Sequence, residues 1–307
     1  MGFLSIPAGV SVPATSANLG PGFDCLGLAL DWRDELRASV TAGGLSVRVE
    51  GTNADGVPRD ESHLVVTAMR RGFLAMGIDP PGLKLTCVNA IPHTRGLGSS
   101  AAAIVGGLCL ARELEADPTR RLSDHQVFQI AAEMEGHPDN VAAALFGGFV
   151  ISGKHTDDEA SRSGEKFFAH SSLVHADIVA VAFVPESGVE TRLARSLLPA
   201  NVLHRFASAN ASRAALLVSA LASFPDALFT ATQDFLHQSF RESAMPHTLA
   251  LVEKLRADRL AAVVSGAGPS VLLLGDEEMV AAVLDRGEPG WSVRRVDIDH
   301  SGVRQLI

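Results

Sequence analysis

The stretch Gly96-Leu97-Gly98-Ser99-Ser100-Ala101-Ala102-Ala103, preceded by Ile91-Pro92 and followed by an apolar run, decides how the chain is read. Two glycines remove the Cβ atoms that would hold a phosphate away from the backbone. A helix beginning at Ser99 then presents unpaired N–H donors at its positive end. The segment is expected to cradle a phosphate and, by extension, a nucleotide.

Three phosphate-binding designs compete for this loop. A P-loop needs a lysine directly after its last glycine, and no lysine lies between Lys84 and Lys154. The dinucleotide fingerprint is met formally by Gly96, Gly98 and Ala101, but it requires a strand before the loop, a second strand after the helix and an acidic residue about 20 positions on. Here Pro92-His93-Thr94-Arg95 precedes the loop, and Asp117-Pro118-Thr119 with another helical segment follows the helix. The third design, an uncharged Gly-Leu-Gly-Ser-Ser loop with a hydroxyl at the helix start, fits without correction. Small residues also permit close helix packing, so the surroundings must decide whether the loop is a site.

Those surroundings follow from pattern and punctuation. Residues 10–14 read as extended, ahead of a turn through Asn18, Gly20, Pro21 and Gly22, and strands are expected at 35–40, 45–49 and 83–88. Helices are expected at 63–76, ended by Gly77, and at 99–115. Ser123 and Gln126 make a capping box for a further helix, whose apolar side is Val127, Ile130, Ala131 and Met134 and whose stop is Gly136. Glu133 and Glu135 fall in its last turn, where negative charge costs about 0.3–1 kcal/mol, which invites a functional reading. The stretch 153–165, rich in Ser, Asp and Glu, reads as an exposed connection, and the chain is divided into residues 1–157 and 158–307. Beyond it the order strand (178–184), helices (within 190–256), strand (260–264), strand (270–274), helix (277–285), strand (293–298) is the split βαβ pattern. The fold class is therefore α+β.

At 307 residues the chain accommodates two ordinary domains. A net charge of −9, with no basic run, argues against nucleic acid as a partner. Cys25, Cys87 and Cys109 are odd in number and far apart, which disfavours a disulfide framework or a zinc site. The apolar stretch at 101–111 falls well short of the roughly 20 residues that span a bilayer, so no membrane association is expected. No Lys or Arg precedes Arg33 to start a signal peptide, and Ile6 stands where a myristoylation motif wants a hydroxyl. A cytoplasmic location is expected.

Four separated clusters need a common explanation: 14–24 (Ala-Thr-Ser-Ala-Asn-Leu-Gly-Pro-Gly-Phe-Asp), the glycine loop, 133–140 and 265–270 (Ser-Gly-Ala-Gly-Pro-Ser). In this order they resemble the GHMP kinase superfamily. The run from Ser16 to Asp24 with Gly27-Leu28, joined to Glu135-Gly136-His137-Pro138-Asp139-Asn140-Val141-Ala142, is similar to its homoserine kinase family in particular. The resemblance covers nearly the whole chain. It implies an S5-like amino-terminal ATP-binding domain (1–157) and a ferredoxin-like carboxy-terminal domain (158–307). It also implies transfer of the ATP γ-phosphoryl group to the side-chain hydroxyl of L-homoserine, with Mg2+, in threonine biosynthesis. A homodimer is implied by the family alone.

On that resemblance the nucleotide falls to Pro92, Arg95, Gly96, Leu97, Gly98, Ser99, Ser100, Ala101 and Ala102. Ser100 and Glu133 would hold Mg2+, with Glu135 the competing choice, because Mg2+ takes a few hard oxygens and keeps several waters. The catalytic set is Asn140, Glu133 and Ser100. For the amino acid, Arg195 and Arg241 would take the carboxylate, Asp24 the ammonium, and Asn18 and Asn140 the reactive hydroxyl; Arg192 is an alternate arginine. Relatives with other substrates place an aspartate where Asn140 stands, and an amide accepts no proton at neutral pH, so no dedicated base is expected there. Asp139 is the dissenting possibility.

Two departures from the family pattern stand out: His63 replaces an asparagine near the adenine, and Ala143 replaces a proline. The rival readings are a kinase of the same superfamily for another small alcohol such as mevalonate, a dinucleotide-dependent oxidoreductase, and a silent ligand-binding relative.

Overall fold

The computed structural model describes residues 2–306 and distributes them over two sheets. The first half runs β1 (Ala8–Asn18), β2 (Gly22–Val40), β3 (Gly44–Gly51), α1 (Leu64–Ala75), β4 (Gly82–Asn89), α2 (Ser99–Leu114), α3 (Asp124–Glu135), α4 (Asp139–Phe146), β5 (Phe149–Lys154), α5 (Asp157–Ser163) and β6 (Phe167–Ser172). The second runs β7 (Val179–Pro185), α6 (Thr191–Ser196), α7 (His204–Ala222), α8 (Leu228–Ala231), α9 (Pro246–Ala257), β8 (Ala261–Val264), β9 (Val271–Gly275), α10 (Glu277–Arg286), β10 (Trp291–Val296) and β11 (Arg304–Gln305).

The first sheet has the order β11-β1-β2-β4-β3, with β5 beside β2 and β6 beside β5, and only β3 and β4 run parallel. β1 is buried along its whole length, so it lacks the alternation of a half-exposed strand. α2 packs over it and over α1. Its run of small and apolar residues is buried from Ala101 to Leu114 with few interruptions, as expected for a helix apolar on all sides. Each large aliphatic side chain enclosed there contributes about 1.5–3 kcal/mol. The capping box of Ser123 and Gln126 starts α3, and Gly136 ends it in the left-handed conformation.

The second sheet has the order β10-β7-β9-β8, antiparallel throughout, with helical connections after β7 and β9. That is the split βαβ arrangement read from the element order.

The division at 157/158 requires correction. Residues 153–165 are not an inter-domain connection but the turn of a hairpin. Thr156 and Glu159 form a capping box that starts α5, and β6 then returns to pair with β5. The acidic, Ser-rich composition belongs to a short exposed helix, while Phe167 carries the chain back into the core against Phe128. The first sheet thus extends to Ser172, and β11 brings the carboxy-terminal end back onto β1. β2 also begins at Gly22, well before the strand expected at 35.

Candidate active site

The glycine loop meets α2 at Gly98, the residue before the first turn, which has φ +70°. A Cβ at this position would lie 1.8 Å from Thr15 Oγ1, so both conformation and space demand glycine. The amide of Ala102 already bonds Gly98 O at 2.9 Å. Ser99, Ser100 and Ala101 are left without intrahelical acceptors, so their amides are free to meet an anion.

Four of the residues expected at the nucleotide have other contacts in the structure. The Ala102 amide is spent within the helix. Leu97 is buried, and its carbonyl accepts from the Thr15 amide. Arg95 donates to the carbonyls of His93, Pro185 and Glu186, which braces the loop against the end of β7. Pro92 lines a separate cleft with Trp32, Pro185 and Trp291.

A cavity of about 140 Å³ lies between this loop, the α3–α4 junction, α6 and the turn after β8; Asn18, Ser100, Glu135, Asn140, Arg195 and Arg241 all line it. Residues more than 200 positions apart in sequence therefore converge as expected. Asn18, at φ +69°, accepts the Asp24 amide on Oδ1 and donates through Nδ2 to Gly266 O at 2.9 Å. Ser265 Oγ bonds both Ser16 Oγ and Gly96 O. The glycine turn at 265–270 is thus part of the site wall and not merely a hairpin loop.

Glu133 does not join Ser100. Its carboxylate pairs with Lys166 Nζ at 2.6 Å and approaches Arg71 at 3.8 Å, outside the cavity. Ser100 Oγ donates instead to Glu135 at 2.8 Å. The reason is geometric: residues two apart on an α-helix point about 200° apart, so only one of the two can face the loop. Burial pushes the Glu135 carboxyl above its ordinary pKa, partly offset by the Ser100 hydrogen bond and the His137 charge.

At the start of α4, Thr15 Oγ1 donates to Asn140 Oδ1 at 2.8 Å, which fixes the amide. Asp139 is almost fully buried; its Oδ1 accepts from the Asn140 amide at 2.7 Å and lies 3.1 Å from His137 Nδ1. Burial alone would lower the His137 pKa, but the hydrogen bond and charge of Asp139, with Glu135 nearby, raise it overall.

Asp24 reaches the site only through Arg195, whose guanidinium it binds with both oxygens. That hydrogen-bonded pairing holds the Arg195 pKa above its ordinary value. Arg241 is buried at 1% exposure and lies over the ring of Phe23, which also faces Arg195. Arg192 does not line the cavity.

A second cavity, of about 300 Å³, opens on the other side of Ser99 and Ser100. Val57, Pro58, Leu64, Val65 and Ala103 give it apolar walls, and Asp34, His63, Asn89 and His93 are among its polar ones. His63 Nδ1 accepts the Val65 amide and caps α1, so only its other nitrogen is available to a ligand.

Thr15, His137 and Thr191 belong to the site without having been assigned roles from sequence. Thr15 and His137 lie inside the quoted motifs, where only contacts across the fold reveal what they do. Thr191 carries no local signal.

Residues 63–148 match the family model described as the GHMP kinases N terminal domain. The chain is 50% identical to a homoserine kinase of Rhodococcus erythropolis, covering 96% of each sequence, and 47% identical to one of Streptomyces avermitilis, covering 97% of this chain and 95% of that one. Among solved structures it is similar to the homoserine kinase of Cytophaga hutchinsonii, with a TM-score of 0.82 at 25% identity and full coverage of both chains. A mevalonate diphosphate decarboxylase of Staphylococcus aureus, at 14% identity and a TM-score of 0.66, shares the fold alone.

Proposed function

The chain belongs to the homoserine kinase family of the GHMP kinases, and we propose that its site transfers the γ-phosphoryl group of ATP to the side-chain hydroxyl of L-homoserine, giving O-phospho-L-homoserine and ADP. One observation supports this reading above the others: an uncharged phosphate loop opens into a cavity lined by two guanidiniums, with a carboxylate paired to one of them. A triphosphate suits the first feature and an amino-acid zwitterion the second.

The adenosine occupies the apolar cavity beside Ser99 and Ser100, which directs its phosphates onto the amides of Ser99, Ser100 and Ala101. Ser100 Oγ and the Glu135 carboxylate, two hard oxygens 2.8 Å apart, would hold a Mg2+ ion, which takes a few hard oxygen ligands. Such an ion, when bound, offsets charge on the transferring phosphoryl group. Arg241 and Arg195 hold the substrate carboxylate and Asp24 its ammonium. Asn140, fixed on Oδ1 by Thr15, donates one N–H of its amide to Asp139 Oδ1 at 3.3 Å and has the other for the substrate hydroxyl, with Asn18 alongside.

No side chain here serves as a dedicated base. Asn140 cannot accept a proton, and Asp139 Oδ1 is engaged with its neighbours at the start of α4. In a loose transition state the hydroxyl loses its proton late, to the transferred phosphate. A cytoplasmic setting suits Cys25, Cys87 and Cys109, which are free thiols, and no described helix is long and apolar enough to cross a membrane.

The test is ADP release with Mg2+ and ATP, compared across L-homoserine, L-serine, L-threonine, mevalonate and galactose. Selective stimulation by L-homoserine is expected. Absence of stimulation by homoserine removes the substrate assignment, and absence with every alcohol removes the kinase assignment.

A further inference from the structure

Arg241 is satisfied on one side only. Its Nη1 donates to Gly266 O at 3.0 Å and lies 3.0 Å from His237 Nδ1, whereas its Nε is buried with no hydrogen-bond partner. Leaving a buried charged donor unpaired is costly, and burial draws the guanidinium down to about 10. The Nε–Nη2 edge is the face of arginine that matches the two oxygens of a carboxylate. What aims this edge is therefore a determinant of substrate choice.

His237 is the group that holds the opposite edge. It is fully buried, and its ring lies 5.3 Å from the ring of Phe23. Its Nε2 is 2.7 Å from Gly20 O, an acceptor, so that nitrogen carries the proton. Its Nδ1 faces a guanidinium, which has no lone pair to offer, so that nitrogen accepts. The two contacts thus specify one neutral tautomer. Asp234, the neighbouring carboxylate, is 3.6 Å from Nε2 and already takes the amides of Leu236, His237 and Gln238. Burial lowers the imidazole pKa, which favours the neutral form.

We propose that His237 is a positioning residue: its Nδ1 holds Arg241 Nη1 so that the Nε–Nη2 edge faces the substrate carboxylate, and the kinase thereby selects alcohols that carry that carboxylate. This rests on the assignment of Arg241 to the substrate given above. His237 touches no reacting atom. Its effect is confined to recognition of the carboxylate and leaves the nucleotide and the phosphoryl step alone.

Two substitutions separate the two nitrogens. In His237→Asn the side-chain oxygen stands where Nδ1 was and keeps the acceptor for Arg241. In His237→Gln the amide keeps the donor toward Gly20 O and loses that acceptor. Steady-state kinetics of the full chain should give His237→Gln a homoserine KM raised about tenfold or more, with kcat and the ATP KM nearly unchanged, and His237→Asn a homoserine KM within about threefold of wild type. The kcat/KM preference for L-homoserine over 3-aminopropan-1-ol, which lacks the carboxylate, should fall in His237→Gln alone. Equal effects in both variants, a shifted ATP constant or an unchanged preference overturns the proposal.

Nitrogen-15 NMR of histidine-labelled wild type provides a test that does not depend on either variant folding. A neutral imidazole protonated at Nε2 is expected, and a charged ring or the other tautomer overturns the proposal. Wild type that shows no homoserine-dependent ADP release rejects the substrate assignment instead, and is recognised before any variant is made.

Discussion

Asp24 grips Arg195, a residue of the cavity wall, with Nη1 3.0 Å from Oδ2 and Nη2 2.5 Å from Oδ1. An α-amino acid carries the same two charges in reverse roles, so under the proposed function homoserine would exchange with this pair, its carboxylate replacing Asp24 on Arg195 and its ammonium replacing Arg195 on Asp24. The exchange strands no charge. Removing one member does strand the other, so Arg195→Ala is expected to raise the homoserine KM about tenfold or more and to leave the ATP KM within about twofold. Initial-rate measurements with each substrate varied in turn check this, and a matching rise in the ATP constant would place Arg195 elsewhere.

The Ser100–Glu135 contact makes a sharp distinction between two carboxylates in one helical turn. Glu135→Gln keeps the size and removes the charge beside the phosphates, and kcat is expected to fall about 100-fold or more. Glu133→Gln disturbs only partly exposed pairings with Lys166 and Arg71 and should change kcat by less than about threefold. A titration of Mg2+ at saturating homoserine should show a weakened apparent affinity for the metal, and so a higher Mg2+ concentration for half-maximal rate, in the first variant only. The reverse pattern would return the metal to Glu133.

Which parts of this site were legible in the sequence depends on how local their causes are. Gly98, the Ser123 capping box and the stop at Gly136 are dictated by backbone conformation within a few residues, and each is found where spacing put it. Choosing between Glu133 and Glu135 needs the rotational phase of α3 relative to α2, which packing sets and a last-turn position does not. The same holds for Arg95: its guanidinium is captured by carbonyls at the end of β7, 90 and 91 residues away. β6 was hidden because the polar helix before it resembles a linker, while its pairing is specified by β5. His237 was passed over altogether, since its role consists of one contact to Gly20 and one to Arg241.

Asp34 gives the apolar cavity a pH-dependent wall. Its carboxyl is buried and raised from 3.8 to about 6 by that burial, against the opposing hydrogen bonds from the Ile91 and Ala90 amides. A folded pKa above the unfolded one means that the native state holds the proton more tightly. This contribution to stability is fully present below 3.8 and is lost as pH rises through about 6. The displacement corresponds to about 3 kcal/mol. Asp34→Asn retains an acceptor for the two amides and has no charge to bury. It should therefore gain stability relative to wild type as pH rises from about 3.5 to about 7, with most of the gain complete by neutrality. Urea unfolding at several pH values measures the difference, and a difference that does not vary with pH refutes it.

Asp139 offers the sharpest test of how the hydroxyl proton leaves. It adjoins Asn140 and has the chemistry of a base, yet its side chain is only 1% exposed, and Oδ1 already receives the Asn140 amide at 2.7 Å and faces His137 Nδ1 at 3.1 Å. The raised pKa of His137 favours the imidazolium, which makes that nitrogen a donor. A proton on Oδ1 would have to displace one of these partners and break the start of α4, on which the placement of Asn140 depends, so a base role would fall to Oδ2. Asp139→Asn keeps an acceptor for the helix amide and cannot take a proton. If Asp139 serves only to set the helix start, kcat should fall by no more than about tenfold, with little change in the homoserine KM and with the shape of the kcat–pH profile preserved. A loss of several orders of magnitude in kcat at unchanged affinity, together with disappearance of an acid limb, would make Asp139 the base and remove the late proton transfer to phosphate.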